Sequence, residues 1–99
     1  MFGKIKELME AKSKAEEMKK RLENVTVTGE SYQGEVLVTA NGSRRILSID
    51  INESVLKVRE KHEIEEMILV AVNNATEKAD QLMATEMKAI MPNIPGLGF

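Results

Sequence analysis

The sequence predicts an α+β fold of order α-β-β-β-α, with a three-stranded antiparallel sheet and two long helices, dimerising through its sheet and helical arms. Three observations lead to this prediction. Alternation of apolar and polar residues, which is typical of strands, is confined to residues 25–51. Long helical patterns lie on both sides of that segment. A subunit of 99 residues buries little surface, so we expect a second copy to complete it.

The first helix is expected from Lys4 to Asn24, a stretch with neither proline nor glycine. Its apolar residues recur at heptad positions a and d and form one narrow seam. The seam contains Leu8, Ala11, Ala15, Met18, Leu22 and Val25. Lysine and arginine border the seam. Two such helices packed in parallel would oppose like charges, so we expect the seam to pack against the acidic last helix.

The first strand begins at residues 25–29, a bend follows at residues 32–34, and Asn41-Gly42 is expected to form a two-residue type I′ hairpin turn. The resulting register would separate an apolar face from a mixed one. The apolar face would carry Val36, Val38, Leu47, Ile49 and Ile51. The mixed face would carry Glu35, Leu37, Thr39, Arg44, Ile46 and Ser48.

After the sheet, Asn52 is placed to cap a short helical turn through Val55 and Leu56. The second long helix is expected from Glu63 to Met91, where Pro92 stops it. Its outer part would extend past the sheet and, in a dimer, could meet the seam of the first helix as a projecting arm. We expect residues 1–91 to form a single domain and residues 92–99 a flexible tail.

Charge and composition exclude several classes of protein. The net charge of −2 argues against a protein that coats nucleic acid by bulk electrostatics. The distribution is uneven, because residues 1–24 hold seven basic against five acidic side chains and residues 53–99 hold five against eight. The absence of cysteine excludes disulfides and thiolate sites. With a charged start and no apolar run near the roughly 20 residues that span a bilayer, we expect a cytoplasmic protein without a membrane partner.

Four features carry a likeness to a known family. They are Met1-Phe2-Gly3-Lys4 before a Lys/Glu/Met helix, Val27-Thr28-Gly29-Glu30-Ser31 followed by Gly34, Arg44-Arg45 on a strand ending in Ile49-Asp50, and Ala71-Val72-Asn73-Asn74-Ala75. With a tail containing Pro95, Gly96 and Phe99, the chain resembles the YbaB/EbfC family of bacterial nucleoid-associated proteins over nearly its whole length. It departs from the family pattern at Ser43, the single residue between Gly42 and Arg44, and at Asn52, where a proline is expected.

The resemblance implies a homodimer of the cytoplasm and nucleoid, shaped like tweezers, whose protruding helices bind double-stranded DNA. An influence on gene expression or nucleoid organisation is expected from the same likeness. Recognition would depend mainly on backbone charge and shape, because the sequence shows no platform of aromatic and basic residues.

The candidate DNA-binding residues are Lys12, Lys14, Lys19, Lys20, Arg21 and Arg44. The first five form the densest basic cluster, and their charges could lie along a phosphate backbone. The same side chains could instead border the helix seam and pair with Glu77, Asp80 or Glu86. Arg44 could likewise contact phosphate or pair with a carboxylate across the strands.

No pattern supports an enzyme, a cofactor, a metal site or a small-molecule substrate. His62 is the only histidine and has no second ligand type at metal spacing nearby. Asn73-Asn74, inside the last helix, is expected either to fix the register of a helical interface or to make a surface contact. The alternative to DNA binding is a non-catalytic adaptor that docks a cytoplasmic protein through the helical arm or the tail.

Overall fold

The computed structural model describes residues 2–90. The elements are α1 (Phe2–Glu23), β1 (Thr26–Ser31), β2 (Val36–Asn41), β3 (Ile46–Ile51), α2 (Glu53–Val58) and α3 (Lys61–Ile90). The strands form one antiparallel sheet in the order β1-β2-β3. The predicted α+β fold is therefore confirmed. The predicted tail, residues 92–99, lies outside the described residues.

The core lies between α3 and one face of the sheet. Alternate residues of β2 point at the helix because side chains of a strand alternate between its two faces. The buried side chains are Val36, Val38 and Ala40 from β2, Val55 from α2, and Met67, Ala71 and Ala75 from α3. Small residues on α3 let the helix approach β1 closely. A Cβ added to Gly29 would lie 2.2 Å from the Ala75 amide nitrogen, so only glycine fits there.

The short helix α2 begins as the sequence predicts. The Asn52 side chain accepts a hydrogen bond from the Ser54 amide at 3.1 Å and satisfies one of the free N–H groups of the first turn. Val55, one turn in, is buried and fixes α2 against the core. The cap thus places α2 beside the start of α3.

The hairpin turn differs from the prediction of a two-residue type I′ turn. The left-handed backbone falls on Arg44, with φ 70°, whereas neither Asn41 nor Gly42 has a positive φ. The Arg44 amide donates to the Asn41 carbonyl at 3.0 Å, and the Asn41 side chain accepts from the amides of Ser43 and Arg45. The side chain of Asn41 thus organises a longer loop, a type I turn followed by a left-handed residue.

This longer turn changes the register of the hairpin. Val36 lies opposite Ile51 and Val38 opposite Ile49, so these four share the apolar face as predicted. A bulge then intervenes, Ala40 lies opposite Ile46, and Leu47 has no partner. The predicted faces of Ile46 and Leu47 were therefore wrong. Ile46 packs against the core. Arg44 lies in the turn and not on the mixed strand face.

Helix α1 stands away from the body for most of its length. Leu22 is buried and Met18 partly buried, but the other residues described between Gly3 and Lys20 are exposed. The protein is correspondingly elongated, with extents of 66 × 22 × 18 Å. The predicted packing of the seam on α3 is thus confirmed only near the C-terminal end of α1. The seam residues from Leu8 to Ala15 are open to solvent.

Candidate nucleic-acid interface

Helix α1 is a long arm that is fixed at one end. Its 22 residues are mainly strong helix formers, and at about 1.5 Å per residue it extends about 33 Å. At its base, the Gly42 amide donates to the carbonyls of Leu22 and Val25, at 2.8 and 2.9 Å. The Asn24 side chain donates to the Lys20 carbonyl and closes the last turn. The hairpin turn therefore holds the base of the arm.

The basic residues on α1 form separate rows and not one stripe. Lys12 and Lys19, seven residues apart, share one side of the helix. Lys14 and Arg21 share another side, about 160° around the axis, since successive residues are about 100° apart. Lys20 lies on the side opposite the seam. A straight duplex lying along α1 would therefore contact only one of these two rows.

Two of the candidate residues are held by carboxylates of α3. The Arg21 guanidinium lies 2.9 Å from Glu86 Oε2, and Glu86 is only 17% exposed. The Arg44 Nε lies 3.4 Å from Asp80 Oδ1, with both side chains more than half exposed. Water screens the second pair, so it contributes little to stability. The structure thus brings Arg21 and Arg44 to the acidic outer half of α3.

The four candidate lysines are placed differently. Within residues 2–90, Lys12, Lys14, Lys19 and Lys20 form no ion pair, and all four are exposed. Glu77, which the sequence offered as a partner, has no ion pair in the same range. The arm therefore presents its lysine charges to solvent.

Sequence reasoning missed one arginine cluster. Arg59, in the connector between α2 and α3, lies 5.8 Å from the centre of the Tyr32 ring and within 4 Å of Glu35 and Glu63. Tyr32 belongs to the β1–β2 turn and has a positive φ. Arg59 and Glu63 are four residues apart, but no local pattern links either of them to Tyr32 or Glu35. The cluster holds the connector against the β1–β2 turn, and none of its residues belongs to α1.

Asn74 fixes α3 on the sheet. Its side-chain amide donates to the Glu30 carbonyl at 2.9 Å, so it joins the helix to β1. Asn73 is exposed. Asn74 thus joins a helix to a strand, whereas the sequence predicted a contact within a helical interface. The Ser31 hydroxyl, which donates to the Met67 carbonyl at 2.7 Å, supports the same helix–strand contact.

Two apolar surfaces remain open. One set comprises the exposed apolar residues of β3 and α2, which are Leu47, Ile49, Leu56 and Val58. We call it the β3–α2 patch. β3 is also an edge strand, so its outward backbone groups have no neighbouring strand within the described chain. The other surface lies on the outer half of α1.

The described residues offer no group of three or more His, Asp or Glu side chains arranged to hold a metal ion. His62 is exposed at the start of α3. Within residues 2–90, no helix combines the length and apolarity needed to cross a lipid bilayer.

Comparison with known proteins gives consistent results. The model of the YbaB/EbfC DNA-binding family matches residues 1–94. A nucleoid-associated protein of Flavobacterium johnsoniae is 35% identical, over 98% of this chain and 91% of the relative. A nucleoid-associated protein of Thermus thermophilus is 40% identical, over 84% of this chain and 80% of the relative.

Among solved structures, an uncharacterized protein of Helicobacter pylori has the same fold. The TM-score is 0.76, and the match covers 92% of this chain and 97% of the other. At 17% sequence identity, this likeness concerns the fold alone.

Proposed function

The chain belongs to the YbaB/EbfC DNA-binding family, and we propose that it is a nucleoid-associated protein that grips duplex DNA with the α1 arms of a homodimer. The observation that carries this proposal is the exposed lysine set of an arm that stands off the body. The protein would act in the nucleoid of the cytoplasm and influence gene expression or nucleoid organisation. No catalytic step or cofactor is part of the proposal.

The distribution of charge favours contact through α1. The arm region, residues 1–24, carries seven basic and five acidic side chains, while residues 53–99 carry five basic and eight acidic. Lysine ammonium groups that lie along phosphates release condensed counterions and so favour binding. The acidic α3 repels the same polyanion. A duplex would therefore lie against the arm and away from the outer face of α3.

The two rows of α1 are not equivalent. Arg21, in the row with Lys14, is paired with Glu86 and would have to exchange that carboxylate for a phosphate. Lys12 and Lys19 form no ion pair within residues 2–90 and need no such exchange. We therefore propose that the row of Lys12 and Lys19 makes the main contact with the duplex. Lys14 would add a contact in the middle of the arm, and Lys20, Arg21 and Arg44 would add contacts near its base.

A second copy would complete the binding surface. The β3–α2 patch and the free edge of β3 are the kind of surface that proteins cover, because exposed apolar strands associate. Two copies that join these surfaces about a two-fold axis would form a continuous sheet and present two arms. Two linked arms bind far more tightly than one, since the second contact is intramolecular.

The test is binding to a random-sequence duplex across a salt series, with the molecular mass measured in parallel. We expect the affinity to fall as salt rises, with little dependence on sequence. The K12A/K19A variant should lower the slope of log affinity against log salt by about 2 if one arm engages, and by about 4 if two arms engage.

The matched control is K61A/K78A, which removes the same charge from exposed positions on α3. It should leave the slope close to that of the natural protein. Equal losses in the two variants would show that the effect reflects total charge, and the arm would not be the DNA-binding surface. Absence of binding at low salt would refute the proposed function.

A further inference from the structure

The outer half of α1 carries an apolar patch that nothing in the described chain covers. Ile5, Leu8 and Met9 are 57%, 70% and 68% exposed. Their spacing of three and four residues places them together on one side of the helix. We call these three side chains the distal patch. It lies far from the base of the arm, since 14 residues separate Leu8 from Leu22, or about 21 Å along the helix.

Charged side chains, most of them basic, surround the distal patch. Lys4 and Lys6 flank it, each about 100° from its centre, and Lys12 follows it one turn further along the same side. Glu7 lies about 150° from its centre, on the back of the helix, whereas Glu10 borders the depression that Ile5 and Met9 line. The surface is thus apolar in the middle, with three lysines and one carboxylate around its border, so its border carries a net positive charge. It fits a partner that is anionic outside and apolar within.

We propose that the distal patch is a wedge that enters the minor groove of the bound duplex and partly unstacks a base step. This inference rests on the proposed function. Base pairs form an apolar stack between two anionic backbones, and leucine, isoleucine and methionine are among the side chains that proteins insert between base steps. Lys4, Lys6 and Lys12 would bind the flanking phosphates. The duplex would bend away from the arm at the point of insertion.

A second copy of the chain is a poorer occupant of the distal patch. Two patches packed together would bring the bordering lysines of both copies close to one another, which is unfavourable. Three side chains also offer much less than the ~800 Å² per partner that a stable interface buries. The larger apolar surface for association is the β3–α2 patch.

The experiment uses the variant I5Q/L8Q/M9Q, which removes the apolar side chains, leaves every charge and keeps good helix formers. DNA bending is measured by energy transfer between dyes at the ends of a short duplex. Unstacking is measured by the fluorescence of 2-aminopurine within it. Affinity, salt slope, helicity and molecular mass are measured on the same samples. The control is L69Q, which removes an exposed leucine from α3.

The natural protein and L69Q should bend the duplex and raise the 2-aminopurine fluorescence. The triple variant should bind with an unchanged salt slope and an affinity within about tenfold, but without bending or unstacking. A natural protein that binds without bending, or a triple variant that bends equally, would overturn the wedge and leave DNA binding intact. Failure of the natural protein to bind any duplex would refute the proposed function itself.

Two further results would also overturn the wedge. If the natural protein has the molecular mass of a dimer and the triple variant that of a monomer, the distal patch is an interface between copies. If the natural protein binds vesicles of anionic phospholipid through the patch and leaves duplex DNA unbent, the patch is a membrane contact.

Discussion

The Gly42 amide lies 2.8 Å from the Leu22 carbonyl, and this contact joins the hairpin turn to the base of the α1 arm. The two residues are also packed tightly, because a Cβ added to Gly42 would lie 2.8 Å from both the Leu22 carbonyl oxygen and its Cδ2. Since Leu22 is the buried residue of α1, the direction of the arm depends on this contact.

We therefore expect G42A to lower the free energy of unfolding by about 1–3 kcal/mol, because the turn and α1 must move apart. Urea denaturation measures the loss. The control is G3A, where an added Cβ meets no atom within 4 Å. It should be neutral or slightly stabilising, since alanine favours helix. Equal effects of G42A and G3A would show that the base of the arm tolerates displacement.

A larger effect is expected at Gly29. A Cβ there would lie 2.2 and 2.4 Å from backbone atoms of Ala75 and Ala71, and backbone cannot move aside as a flexible side chain can. G29A should therefore destabilise the fold by about 3 kcal/mol or more by separating α3 from β1. Thermal and urea unfolding measure it. An unfolding curve close to that of the natural protein would contradict the close helix–strand approach.

The pair of Arg21 and Glu86 should restrain DNA binding. In E86Q, Arg21 loses its carboxylate partner and becomes available to phosphate. We expect at least a twofold gain in affinity at low salt, measured by fluorescence anisotropy. The gain should vanish in R21A/E86Q, which completes a double-mutant cycle. A gain that persists without Arg21 would mean that E86Q acts only through net charge.

The two rows of α1 predict an unequal response to substitution. K12A/K19A and K14A/R21A remove the same charge, but only the second pair includes a residue already held by α3. The first variant should lose more affinity at low salt and more of the salt slope. Titration of both variants against one duplex makes the comparison. The reverse order would place the duplex on the side of α1 that borders α3.

The β3–α2 patch predicts how dimerisation can be blocked. I49D/V58D would put two buried charges into the proposed interface, so it should give a folded monomer at micromolar concentration. Sedimentation and circular dichroism report mass and fold together. L69D, at an exposed position on α3, should keep the mass of the natural protein. A dimer that survives I49D/V58D must form through another surface.

The regular elements follow from local sequence. Heptad spacing located α1, and Asn52 capped α2 through its own side chain, because each of these signals acts within a few residues. The predicted two-residue type I′ turn was wrong, because the dipeptide Asn-Gly is compatible with more than one type of turn. The side chain of Asn41 bonds two amides further along and so selects the longer loop.

The candidate site was only partly predictable for a similar reason. Composition located the exposed lysines of α1, and the acidic last helix suggested partners for the arginines. Which carboxylate Arg21 or Arg44 meets depends on how α1 and the turn sit against α3, which no local pattern specifies. The cluster around Arg59 joins three separate segments and gave no signal for the same reason.

The elongated shape determines how many base pairs one DNA-bound subunit would cover. At about 3.4 Å per base pair, the long dimension of 66 Å equals about nineteen base pairs, close to two turns of the double helix. A subunit lying crosswise, with a width of 22 Å, would shield only about six. The length of DNA protected from nuclease digestion therefore reports the orientation of the subunit on the duplex and the spacing at which neighbours can bind.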